Sequence, residues 1–200
     1  MKQPMIQVIS NGQMSLKRFS EIASTIEPYV DVFHLREKAR TARELSSGIS
    51  ELKKNGISLE KMRINDRVDV AKACHVSSVQ LAYHSLTPLQ VKEAFPDLYV
   101  SKSVHSVEEA IEAENEGVDE LLFGHIFSTQ SKPGKEPRGL EGLQAISSKV
   151  SVPVIAIGGI TPHNCSDVIE AGASGIALMS GILNAEDPLS AVLDYRERVN

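Results

Sequence analysis

Short apolar runs recur along the chain, and after each one apolar residues return at helical spacing. The runs are Met5–Ile9, Val32–Leu35, Met62–Ile64, Val79–Leu81, Leu98–Val100, Leu121–Phe123, Val154–Ile157 and Ile176–Met179, starting 17 to 33 residues apart. Such a run reads as a strand buried on both faces, and each interval has room for a loop, a helix and a second loop. Eight units in one unbroken rhythm predict an α/β fold, a closed (β/α)8 TIM barrel, with a doubly wound open sheet as the alternative. Two helix starts are legible. Ser106 as N-cap with Glu109 three positions later predicts a capping box, with Gly117 as the stop. Thr161-Pro162 predicts a second start, with its stop at Ala171-Gly172.

Composition narrows the class. The chain has 200 residues, 42% hydrophobic and 24% charged, an ordinary globular balance that reads as a single domain spanning 1–200. A net charge of −5 argues against non-specific nucleic-acid binding and leaves room for a local basic pocket. Cys74 and Cys165 show no paired-ligand spacing and read as free thiols of a reducing compartment. The opening MKQPMIQVIS makes a poor signal peptide, and no apolar stretch approaches the roughly 20 residues of a membrane helix. The expectation is a cytoplasmic protein acting on a small molecule, with no nucleic-acid or membrane partner; a homodimer stays open. The tail, Tyr195 to Asn200, reads as the end of a helix.

In barrels of this kind the active site lies at the carboxyl ends of the strands, so each strand exit is a place to look. The seventh and eighth exits carry Gly158-Gly159 and Met179-Ser180-Gly181. Adjacent glycines bring backbone N–H groups close to a ligand, and helix starts beyond them favour an anion. Together with the Ser180 hydroxyl they predict a phosphate cradle; the alternative is that these glycines only make tight turns. On the second strand, alternation sends His34, Arg36 and Lys38 to one side, where Arg36 and Lys38 would face an anion. A solvated charged loop, with Glu37 and Arg40 alongside, is the plainer reading. At the third exit Asn65 and Asp66 could line the pocket, or Asp66 could cap the next helix. Ser103 at the fifth exit could reach a ligand, whereas His105 reads as a turn residue. The sixth exit holds His125, followed by a loop from Ser128 to Arg138 that reads as a lid. An imidazole at a strand end suits proton transfer. His75, His84 and His163 show no ligand spacing, so no metal site and no cofactor are expected.

The motifs HLREK, INDRVDVA, SKSVHSVEEA, GHIFSTQSKPG, PVIAIGGITPHN and AGASGIALMSGI cover nearly the whole chain in order. The series resembles the thiamine phosphate synthase superfamily. The resemblance implies a (β/α)8 barrel with phosphate near Gly158, Gly159, Ser180 and Gly181, and with Arg36, Lys38, Asn65 and Ser103 lining the pocket. Where the synthases read like His-Leu-Gly-Gln-x-Asp, this chain has Gln80-Leu81-Ala82-Tyr83-His84-Ser85. Ser85 therefore stands where a second magnesium-binding Asp would join Asp66. The synthases also carry proline where His125 stands. Both departures match the TenI-type thiazole tautomerase branch. They imply metal-free aromatisation of a carboxythiazole ethyl phosphate, with His125 as the catalytic proton-transfer residue and a thiazole phosphate as ligand. The alternatives are a magnesium-dependent synthase, in which Lys132 aligns with a lysine that serves the reaction, and a non-catalytic phosphate-binding barrel acting in regulation.

Overall fold

Eight strands close on themselves in the order of the sequence, every neighbouring pair parallel, with β8 returning to β1. This computed structural model describes residues 3–199. Met1, Lys2 and Asn200 lie outside the described residues, and so do the first two positions of the opening segment and the last of the tail. The strands are β1 (Met5–Ile9), β2 (Val32–Leu35), β3 (Met62–Asn65), β4 (Ser78–Leu81), β5 (Tyr99–Val104), β6 (Glu120–Gly124), β7 (Val154–Ile157) and β8 (Gly175–Leu178). Between and after them run α1 (Leu16–Ile26), α2 (Ala42–Lys54), α3 (Val68–Ala73), α4 (Pro88–Ala94), α5 (Val107–Asn115), α6 (Gly139–Ser147), α7 (Cys165–Glu170), the single turn α8 (Ser180–Leu183) and α9 (Pro188–Val199). The closed TIM barrel predicted from the rhythm is the observed fold, and the open sheet is not. No helix of the described residues is long and apolar enough to cross a membrane.

Strand alternation sorts side chains into two compartments. One set, including Phe33, Leu35, Ile64, Leu81 and Phe123, packs outward against the helices. The inward set is divided. Ile9, Leu122, Ile155 and Ala177 from β1, β6, β7 and β8 form a small apolar cluster. The rest are the buried polar side chains of Gln7, His34, Arg63, Gln80, Ser101 and Glu120. Glu120 pairs with Arg63 and accepts hydrogen bonds from Gln7 Nε2 (3.0 Å) and Ser101 Oγ (3.2 Å). Arg63 Nε donates to Ser78 Oγ at 2.8 Å. A buried ion pair survives in a protein interior when further hydrogen bonds satisfy its remaining valences, as they do here.

Local details differ from the sequence reading. β5 continues to Val104 because Ser101 and Ser103 face the polar half of the interior, where an apolar run is not required. Ser106 caps α5 by accepting the Glu109 N–H at 3.2 Å, but the Glu109 carboxylate takes the N–H of His105 (2.7 Å), so no capping box closes. Complete boxes stand instead at Thr41/Glu44 and Thr87/Gln90. Thr161-Pro162 opens a turn rather than a helix: Asn164 Oδ1 accepts the Thr161 N–H at 2.8 Å, and α7 starts at Cys165.

Candidate active site

The parallel strands deliver their carboxyl ends to one rim, and the predicted site residues all lie along it. From β2, His34 is fully buried, Arg36 half-buried and Lys38 exposed. The Arg36 N–H donates to Ser10 Oγ at 2.9 Å, which holds the β2 exit against β1. Glu37 turns inward and pairs with Arg40 at 2.7 Å, so the two charges that favoured a solvated loop are engaged with each other.

His34 anchors the floor. Its Nε2 lies 2.7 Å from Gln7 Oε1. Burial, and then the neighbouring Arg63 guanidinium, hold this imidazole well below its ordinary pKa, with the Asn65 side chain acting in the opposite direction. The ring is therefore neutral at physiological pH. From β3, Asn65 is half-buried. Asp66 takes a left-handed backbone (φ 66°) and accepts the Ser85 hydroxyl on Oδ1 at 2.7 Å. It is not the cap of α3, which has no side-chain cap. Ser103 of β5 accepts from Gln80 Nε2 at 3.1 Å. His105 is a turn residue, its Nδ1 3.3 Å from Glu109 Oε2.

The sixth exit and its loop form one unit. His125 is 4% exposed, and its Nε2 lies 3.2 Å from the Lys135 carbonyl, which only accepts, so Nε2 donates. The Arg138 N–H closes back onto the His125 carbonyl at 2.8 Å. The loop is thus tied at both ends to the strand exit. It sets Lys132 in a cationic neighbourhood: burial first, then Lys135, Arg138 and Arg36, lower the Lys132 pKa. Lys135 and Arg138 were not singled out from the sequence. Their signal was a run of basic residues in a Pro/Gly loop, indistinguishable there from a solvated surface.

Beside it lies the glycine rim. Gly158 (φ 101°) and Gly159 (φ 68°) have backbones that side-chain-bearing residues rarely adopt. Space also forbids a side chain: a Cβ on Gly158 would stand 2.3 Å from the His125 Cβ, and one on Gly159 2.6 Å from the Ser128 carbonyl. These glycines therefore let the β6 exit pack against the β7 exit, whatever else binds there. Met179 is half-buried and Ser180 exposed at the start of the four-residue α8. A Cβ on Gly181 would meet Tyr195 Oη at 2.5 Å, and that hydroxyl donates to the Ile160 carbonyl at 3.0 Å. Burial pushes the Tyr195 pKa up to about 12, so the phenol keeps its proton and α9 stays hooked beneath the rim.

The magnesium seat implied by the resemblance is only half present. Asp66 supplies one carboxylate. Ser85 is committed elsewhere, donating to Asp66 and accepting the Ala82 N–H at 2.9 Å. Among the described residues no group of three or more His, Cys, Asp and Glu side chains gathers to hold a metal. Magnesium commonly takes one or two carboxylates and fills the rest of its shell with water and substrate phosphates. The residues thus fit an ion carried by a phosphorylated substrate with Asp66 as its protein carboxylate, and do not fit one caged by protein alone.

The family model for thiamine monophosphate synthase matches residues 6–182. The chain belongs to that family. Among curated relatives, thiamine-phosphate synthase of Pyrococcus abyssi is 35% identical over 192 residues, covering 96% of this chain and 84% of the relative. The Pyrococcus furiosus enzyme of the same name is 43% identical over 137 residues, 68% of this chain and 66% of the relative. A solved structure of thiamine phosphate pyrophosphorylase from Pyrococcus furiosus superposes with a TM-score of 0.83 at 31% identity, covering 98% of this chain and 95% of that one. A 3-hexulose-6-phosphate synthase with a TM-score of 0.76 at 21% identity, covering 98% of this chain and 100% of that one, shares the fold. These relatives overturn the tautomerase expectation, since those of the family that match so strongly are named synthases. A single substitution at a metal seat does not separate branches when the substrate brings most of the ion's ligands. The proton-transfer role given to His125 goes with the tautomerase reading.

Proposed function

We propose that this protein is a thiamine-phosphate synthase, joining a pyrimidine diphosphate to a thiazole phosphate with release of pyrophosphate. The observation that carries the reading is the likeness over nearly the whole chain to proteins named thiamine-phosphate synthase, and the cationic surroundings of Lys132, to which Lys135, Arg138 and Arg36 contribute, agree with it. In a chain with a net charge of −5, such a concentration of cations suits a group with more negative charge than one phosphate monoester. In the reaction the carbon–oxygen bond to the diphosphate breaks as the bond to the thiazole forms, so negative charge grows on the departing oxygens. Fixed cations facing those oxygens stabilise the transition state more than the ground state.

Arg36 and Lys38 just beyond β2 and Lys132 on the loop hold the diphosphate. Asn65 and Ser103 complete the wall between them. Gly158, Gly159, Met179, Ser180 and Gly181, at the β7 and β8 exits, present main-chain groups to the thiazole phosphate. His125 ties the loop down through the Lys135 carbonyl, which keeps Lys132 over the mouth. A divalent ion arriving with the diphosphate would neutralise part of its charge, with Asp66 as the protein ligand. The test is pyrophosphate release from the two substrates mixed with the protein. Release is expected with magnesium and is expected to stop with a chelator. No release under any metal condition would overturn the reading.

A further inference from the structure

The two cations just beyond β2 are separated by a buried acid. Arg36 is half-buried and Lys38 exposed, yet the Glu37 side chain between them is 1% exposed. Its Oε2 accepts from Arg40 Nε at 2.7 Å, and the Arg40 N–H closes back onto the Glu37 carbonyl at 3.1 Å. Arg40 reaches further. Its Nη2 donates to the carbonyl of Met14, in the connection from β1 to α1, at 3.0 Å. That connection is itself fixed, since Asn11 Oδ1 accepts the N–H groups of Gln13 (2.9 Å) and Met14 (3.0 Å). It also lies against the cationic segment, because a Cβ on Gly12 would come within 3.4 Å of the Arg36 carbonyl. The segment is thus tied to the β1 exit twice, by the Arg36 N–H on Ser10 Oγ and by Glu37 through Arg40 to Met14.

Glu37 Oε1 is buried without a partner. Replacing a buried ion pair by apolar side chains often loses no stability, and a bare carboxylate oxygen carries a desolvation penalty besides. A carboxylate beside two cations also opposes, by its own charge, any anion they bind. Neither stability nor Coulomb attraction accounts for an acid at this place; what it supplies is a fixed backbone. We infer that Glu37 is a positioning residue. Acting through Arg40 and the Met14 carbonyl, it holds the chain that aims Arg36 and Lys38 at a diphosphate. The inference rests on the synthase reading for what the two cations hold.

The test is calorimetric titration of the wild type, Glu37→Met and Glu37→Gln with pyrophosphate and magnesium, and separately with the thiazole phosphate. Thermal unfolding first sets a temperature at which each protein is folded. Both variants remove the charge, but only glutamine keeps an acceptor for Arg40, whose side chain is 26% exposed and can otherwise turn to water. Glu37→Met is expected to weaken pyrophosphate binding about tenfold or more while thiazole phosphate binding stays within about twofold. Glu37→Gln is expected to stay within about threefold of the wild type for both ligands. A role in charge alone would tighten pyrophosphate binding in both variants, and a purely structural role would move the melting temperature and neither affinity. Either result overturns the inference, as does an equal loss for both ligands or a wild type that binds no pyrophosphate. Glu37→Met/Arg40→Met leaves no stranded charge and serves where the single variant does not fold. It is expected to show the same selective loss, and wild-type affinity in it overturns the inference. Pyrophosphate release by the wild type with unchanged affinities in the variants sinks this inference alone; the selective loss in a protein that releases no pyrophosphate sinks the synthase reading alone.

Discussion

At the scale of single residues, His34 and Lys132 are the groups whose protons most directly report the fold and the site. His34 is depressed well below its ordinary pKa of 6.5. Below that pH the unfolded chain takes up a proton that the folded chain refuses, so stability falls as pH falls through the window beneath 6.5. The limiting slope for one such group is about 1.4 kcal/mol per pH unit. His105 is lowered too and contributes in the same direction. Denaturant unfolding of the wild type is expected to lose about 1–2 kcal/mol between pH 6.5 and 5. His34→Gln should flatten that decline; an equal slope in the variant would remove His34 as its source. Lys132 acts on binding. Its pKa lies below the ordinary 10.5 because burial and cationic neighbours disfavour its charge, and a bound anion favours that charge. Pyrophosphate affinity should therefore weaken as pH rises through the lowered Lys132 pKa. Lys132→Arg, whose guanidinium stays protonated, should hold its affinity to higher pH in the same titration.

Among the elements, the β6–β7 exits set the geometry of the rim. Gly158→Ala puts a methyl 2.3 Å from the His125 Cβ on a backbone at φ 101°. Clash and strain together should lower stability by about 2–4 kcal/mol, readable in thermal unfolding. How much of this was legible differs from element to element. The strands were, because a parallel strand covered on its outer face needs an apolar side chain at every second position at least. β7 was read to the residue, since Val154 to Ile157 are apolar on both faces. β5 and β6 were cut short at Ser101 and Glu120, where the inward face is polar for reasons lying on other strands. That Arg36, Asn65 and Ser103 stand at or just beyond strands was legible from the rhythm of the chain. The partner of His125 was not: nothing in the sequence links an imidazole to a carbonyl ten residues on. Nor was the strap from Glu37 through Arg40 to the Met14 carbonyl, whose two ends lie at different strand exits. The function assigned from Ser85 and His125 failed for a related reason. Ser85 and His125 are two positions, whereas the likeness to the synthases runs over nearly the whole chain.

Over the whole molecule, the interior is held by the Arg63–Glu120 pair and the groups around it. Glu120→Gln would leave the Arg63 charge buried without its counterion and should cost about 3–5 kcal/mol in chemical denaturation. Replacement of both residues by apolar ones of similar volume should recover much of that, which separates loss of a partner from loss of packing. The make-up of this interior bears also on which substitutions it accepts. The buried inward side chains include amides, an imidazole, hydroxyls and the ion pair, together with a small cluster of isoleucine, leucine and alanine. An interior so finely divided between polar and apolar groups tolerates few exchanges between the two kinds, so substitutions that swap them should unfold the barrel before they alter its mouth.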